Sequence, residues 1–175
     1  KAKDLCLRLS ALSPHVHAKP FNETLAEALE GNKTELLAVD FIIDCTASNL
    51  CLKSLGNLEF AEEVRFASIS VGFNASRLYL FAGSGKTFPD SDFFDSLRPY
   101  WEEEIDVQKR ESFPSEGIGC WHPVFPARYD EMIGLASTAV SVLNDLFQGK
   151  VFPFNLHVFE RCSDGGIFSG VRKIR

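Results

Sequence analysis

Residues 39–49, Val-Asp-Phe-Ile-Ile-Asp-Cys-Thr-Ala-Ser-Asn, constrain the fold more than any other stretch of the chain. Val39, Phe41, Ile42 and Ile43 form a short, nearly continuous apolar run, the pattern of a strand covered on both faces in a parallel sheet. The run stops at Asp44. Thr46, Ser48 and Asn49 can then cap a helix that opens near Leu50. Ligands of open α/β sheets bind outside the carboxyl ends of the strands, so Asp44 is expected where such a sheet does its chemistry. No Gly-x-Gly-x-x-Gly turn precedes this unit.

A helix carrying Leu5, Leu9 and Leu12 is expected to stop at Ser13-Pro14, with a short strand over 15–21 and a second helix over 23–37. After the 39–44 strand and a helix over 49–57, residues 64–73 and 77–81 read as a strand pair around Asn74-Ala75-Ser76. A helix over 91–103 interrupts a segment, 83–127, that is otherwise rich in Gly and Pro and reads as a long crossover-type loop region. Met132, Ile133, Ala136, Val140, Leu143 and Phe147 mark the clearest amphipathic helix, stopped by Gly149. Strands over 155–161 and 167–174 flank a Ser163-Asp164-Gly165-Gly166 turn. The sum is an α/β fold, Rossmann-like: a mostly parallel sheet with helices on both faces and antiparallel additions.

The 175 residues are enough for one domain with its own core. A net charge of −6 without a basic face argues against nucleic acid as a partner. No apolar run approaches the ~20 residues of a membrane span. Five cysteines with no C-x-x-C spacing point to reduced thiols in a cytosolic setting. Sixteen phenylalanines read as core anchors.

Three constellations carry candidate chemistry. Gly83-Ser84-Gly85-Lys86-Thr87 looks like a phosphate loop, but Leu80 stands where the first glycine is required, and an ordinary surface turn is expected. His15 and His17 share a strand face, yet no matching ligand set accompanies them. Cys120 lies in Gly119-Cys120-Trp121-His122-Pro123, where a loop thiol with a histidine two residues away is a candidate nucleophile and burial by Trp121 and Val124 is the rival reading.

The runs KAKDLCLRLSALSPHVHAKPFN and VDFIIDCTASNLCLKSL, followed by HPVFPARYDEMIGLASTAVSVLNDLF and NLHVFERCSDGGIFSGVRKI, resemble the second half of the ThiF-like, ubiquitin-activating-enzyme-like adenylyltransferases. The DCTAS and GCWHPVF forms look most like the bacterial branch associated with ubiquitin-conjugating-like and JAB-like domains. The resemblance implies adenylation, with ATP and Mg2+, of the C-terminal carboxylate of a ubiquitin-like or sulfur-carrier protein. In many members, transfer of the acyl group to a cysteine follows. It puts Lys1 on the helix-opening lysine that contacts ATP phosphates, Asp44 beside the nucleotide and metal, and Cys120 at the thioester position. It also implies that the Gly-rich nucleotide-binding βα unit lies upstream of Lys1, that this polypeptide is a C-terminal portion with no tightly bound nucleotide of its own, and that the chain can form a homodimer. Two departures stand out. Ala47 occupies the place of the family's second acid, a magnesium ligand, and the paired C-x-x-C zinc motif is missing. A non-catalytic pseudoenzyme, or a dimerisation or protein-binding module of the same fold, is the second expectation. A redox dinucleotide enzyme is the third.

Overall fold

The structure, a computed structural model, describes residues 2–13, 15–110, 127–148 and 152–175. The chain divides into two compact units, one up to Val39 and one from Asp40 to Arg175. The first unit holds helices α1 (Ala2–Leu12) and α2 (Leu25–Leu36). A capping box opens α2: Thr24 and Glu27 exchange hydrogen bonds, Thr24 N–H donating to the Glu27 carboxylate at 2.8 Å and Glu27 N–H to the Thr24 hydroxyl at 3.3 Å. Residues 15–21, expected as a short strand, pair with no strand among the described residues, and α2 runs through Gly31-Asn32 without a break.

The second unit is built on a sheet whose strands lie in chain order, β1 (Phe41–Asp44), β2 (Val64–Val71), β3 (Arg77–Gly85), β4 (Asn155–Asp164) and β5 (Ile167–Lys173). The α/β expectation holds. The β1–β2 pair is parallel and the other three are antiparallel, so the antiparallel additions make up most of the described sheet. A parallel neighbour needs a crossover, and α3 (Asn49–Gly56) supplies it between β1 and β2.

One face of the sheet packs on α5 (Tyr129–Gln148), which buries Leu135, Ala139 and Leu143 against Leu78, Leu80, Ala82 and Phe159. The 135-139-143 spacing keeps these side chains on one helical stripe. Glu131 anchors the start of that helix, accepting the Arg128 N–H at 2.9 Å and pairing with Arg161 of β4 at 2.6 Å.

The opposite face is aromatic. Phe81 is surrounded by Phe88, Phe93 and Phe154 with ring centroids 5.9, 5.5 and 5.6 Å away, and Phe66 extends the cluster to Phe60. Helix α4 (Asp90–Arg110) covers this side, Phe93 and Tyr100 reaching Phe81 and Tyr79. The phenylalanines named here therefore act as the core anchors their number predicted.

The Gly83-Ser84-Gly85 segment differs from the expected surface turn, because it is the last part of β3, paired with Val64–Phe66. Gly83 is buried, and a Cβ there would run into the ring and backbone of Phe154. Close packing of an aromatic ring, and not a phosphate, explains that glycine. The β4–β5 turn closes on Gly165 and Gly166, both at positive φ (55° and 81°), as a two-residue hairpin turn requires.

Candidate functional site

The described part of the candidate site is the end of β1 and the turn into α3. Asp44 closes the strand and is 5% exposed, paired in register with Ser68 of the neighbouring parallel strand. Its side chain lies on the aromatic face of the sheet, since Phe66 and Ser68 alternate with Ala67, which packs against α5.

Both carboxylate oxygens are occupied. Oδ1 accepts the Thr46 N–H at 3.1 Å and the Thr46 hydroxyl at 2.6 Å, while Oδ2 accepts the Ser68 hydroxyl at 3.1 Å. The pattern continues outward. The Thr46 hydroxyl oxygen accepts the Ser48 N–H at 3.1 Å, and the Ser48 hydroxyl accepts the Cys51 N–H at 3.4 Å. Ser48 is thus the N-cap of α3, as its place before an apolar helix predicts. Between them Ala47 takes a left-handed backbone with φ of 51°, which turns the chain sharply between Asp44 and the cap.

Two thiols flank this turn. Burial, and secondarily the Asp44 charge, pushes the Cys45 thiol above its ordinary range. The same two causes, in the same order, outweigh the help of the Thr46 hydroxyl at Cys51 and push that thiol up as well. A raised thiol holds less thiolate at neutral pH, although Cys45 is exposed and Cys51 half-buried.

Of the other expected site residues, Lys1 and Cys120 lie outside the described residues, as does His122. His15 and His17 lie in the first unit, outside any described strand. Among the described residues, no three His, Cys, Asp or Glu side chains converge on a point that could hold a metal ion. Asp44, the one described acid expected beside magnesium, has about three of its roughly four acceptor positions filled by protein donors. The described residues therefore do not fit a magnesium site. The role of Ser68 had no signal in the sequence: it is 24 residues from Asp44, and only the parallel register joins them.

The chain is 36% identical over 169 residues to the ATP-dependent ubiquitin transferase-like protein Cap2 of Enterobacter hormaechei subsp. hoffmannii (strain UCI 50). The match takes in 95% of this chain and 27% of that protein, so the chain spans about a quarter of the length of the curated relative it matches. No protein-family model matches the chain. The likeness is to a protein whose name places it in ubiquitin transfer, and it runs through both compact units. No helix among the described residues is long and apolar enough to cross a membrane.

Proposed function

We propose that this chain is part of an ATP-dependent enzyme that adenylates the C-terminal carboxylate of a ubiquitin-like or sulfur-carrier protein and passes the acyl group to a cysteine. The observation that carries this reading is the 36% identity to Cap2 along 95% of the chain. The position of Asp44 at the carboxyl end of a parallel strand, where α/β sheets receive ligands, supports it.

In this reading a carrier carboxylate oxygen attacks the α-phosphorus of ATP, pyrophosphate departs, and an acyl adenylate forms. A thiolate then displaces AMP and keeps the carrier as a thioester. Lys1 would face the phosphates, where a cation offsets the charge of the leaving pyrophosphate. Cys120 would be the acyl acceptor. Asp44 would line the nucleotide side of the sheet by shaping the turn, with Mg2+ held by other groups. The carrier is the partner of the reaction, ubiquitin-conjugating-like or JAB-like domains are partners in the same system, a homodimer is its assembly and the cytoplasm its compartment.

The test is carrier-dependent exchange of labelled pyrophosphate into ATP by the natural polypeptide that contains this chain. Exchange that requires a carrier with a free C-terminus is expected. Its absence with every ubiquitin-like and sulfur-carrier protein encoded beside it would end the adenylation claim.

A second reading is a binding or dimerisation module that kept the fold and lost the chemistry. Ala47 at the position of the family's second acid, together with the filled acceptors of Asp44, favours it. Calorimetry separates the two: a module binds its carrier equally with and without ATP, whereas an adenylating enzyme does not.

A further inference from the structure

We infer that Asp44 is the organiser of the turn between β1 and α3 and not a ligand for a divalent cation. The inference stands on the geometry of the turn and holds whether or not the chain takes part in adenylation.

The carboxylate is 5% exposed, with both oxygens turned toward protein donors. Magnesium is usually held by one or two carboxylates together with waters and substrate phosphates, and it demands near-ideal octahedral geometry. A carboxylate serving that purpose must present an oxygen to the open side of the site. Asp44 instead points Oδ1 at its own turn and Oδ2 across the sheet at Ser68. The position next to the turn at which the resemblance expects a second acid is Ala47, whose side chain carries no ligating atom.

The same contacts explain the shape of the turn. An aspartate that accepts the N–H two residues ahead closes an Asx-turn, and here the Thr46 hydroxyl reinforces the bond from the same residue. That hydroxyl is fixed as a donor to Asp44, so its oxygen lone pair is left to take the Ser48 N–H. Ser48 in turn caps α3 through the Cys51 N–H. A chain of bonds thus runs from Ser68 on β2, through Asp44, to the first turn of the helix. Ala47 sits inside this chain at φ of 51°, a conformation unfavourable for alanine that persists only when its neighbours enforce it. Removing Asp44 releases the constraint on both sides of Ala47.

The experiment is thermal unfolding of the natural polypeptide that contains this chain, each protein measured in EDTA and in millimolar MgCl2. Asp44→Asn should lower the midpoint by about 3–10 °C, because bonds to a charged acceptor weaken and the amide group opposes one of the donors. Ser68→Ala should lower it by a smaller amount. Magnesium should leave all midpoints where they are, or raise wild type and Asp44→Asn equally, which assigns the ion to other residues. The inference is overturned if magnesium stabilises wild type and Asp44→Asn abolishes that stabilisation, or if both variants melt like wild type. Should Asp44→Asn fail to fold, Ser68→Ala decides: a midpoint lowered by the same amount in EDTA and in MgCl2 supports the inference, and a midpoint equal to that of wild type refutes it.

Discussion

Glu104 ties helix α4 to the β2–β3 connection, and its removal is expected to be strongly destabilising. Its carboxylate accepts the Tyr79 hydroxyl at 2.5 Å and the Phe73 N–H at 3.0 Å. Tyr79 is 2% exposed, so its hydroxyl has little water to fall back on. Burial first, and the bond to Glu104 second, hold the phenol far above its ordinary pKa, so it acts only as a neutral donor. A hydrogen bond to a charged group contributes about 1.5–3 kcal/mol. Two such bonds would give about 3–6 kcal/mol, which we reduce to about 2–4 kcal/mol because water reaches one side of Glu104 and alanine favours the helix. At about 2–4 °C per kcal/mol for a chain of this length, Glu104→Ala should melt about 4–16 °C below wild type by calorimetry. Tyr79→Phe leaves the Phe73 bond intact and should cost about 1–1.5 kcal/mol. The double variant should reveal a coupling of about 1 kcal/mol between the two side chains. A Glu104→Ala loss under about 0.5 kcal/mol, or no coupling in the cycle, would refute the argument, since either means the pair is solvated and loose.

Two further predictions follow from single contacts. Gly83→Ala should destabilise by about 1–3 kcal/mol in urea titration, because its Cβ meets the Phe154 ring and backbone; an unchanged midpoint would mean Phe154 has room to move. His157 Nδ1 faces Lys173 Nζ at 2.9 Å, and burial first, then the Lys173 charge, hold the imidazole below its ordinary value of 6.5. A base with a lowered native pKa takes up its proton later than the unfolded chain does, so stability is full above about 6.5 and falls as the pH drops through the window beneath it. Midpoints measured from pH 7.5 downward should show this slope, and His157→Gln should flatten it; equal slopes would discount the histidine.

Much of the candidate site was legible because its signals are local. An apolar run ending in Asp44 and a Ser48 cap three residues ahead of Cys51 specify a strand, a turn and a helix from neighbouring residues alone. The α5 helix itself was legible, but its buried stripe was not: the expected Ile133, Ala136 and Val140 are exposed, and Leu135 and Ala139 pack inward with Leu143 instead, because the face that meets the sheet is set by the distant strands it covers. What escaped was decided by partners distant in sequence. Gly83-Ser84-Gly85 carries turn residues yet extends β3, because β2 pairs with it and the Phe154 ring, about seventy residues on, fills the space a side chain would need. The 15–21 segment has strand-like alternation but no pairing strand among the described residues, and alternation alone does not supply the partner a strand needs. The engagement of Asp44 by Ser68 depends on parallel register, which no short window of sequence encodes.

The central claim, that this chain belongs to an enzyme activating a carrier protein, is tested most directly by trapping the carrier on it. The natural polypeptide containing the chain is incubated with ATP and a ubiquitin-like or sulfur-carrier protein, quenched in acid, and read by intact mass. A carrier adduct that requires ATP, is cleaved by hydroxylamine or thiol, and disappears in Cys120→Ala is the predicted result. A Cys120→Ala protein that still forms the adduct at wild-type level, or a wild-type protein that forms none, would contradict the account.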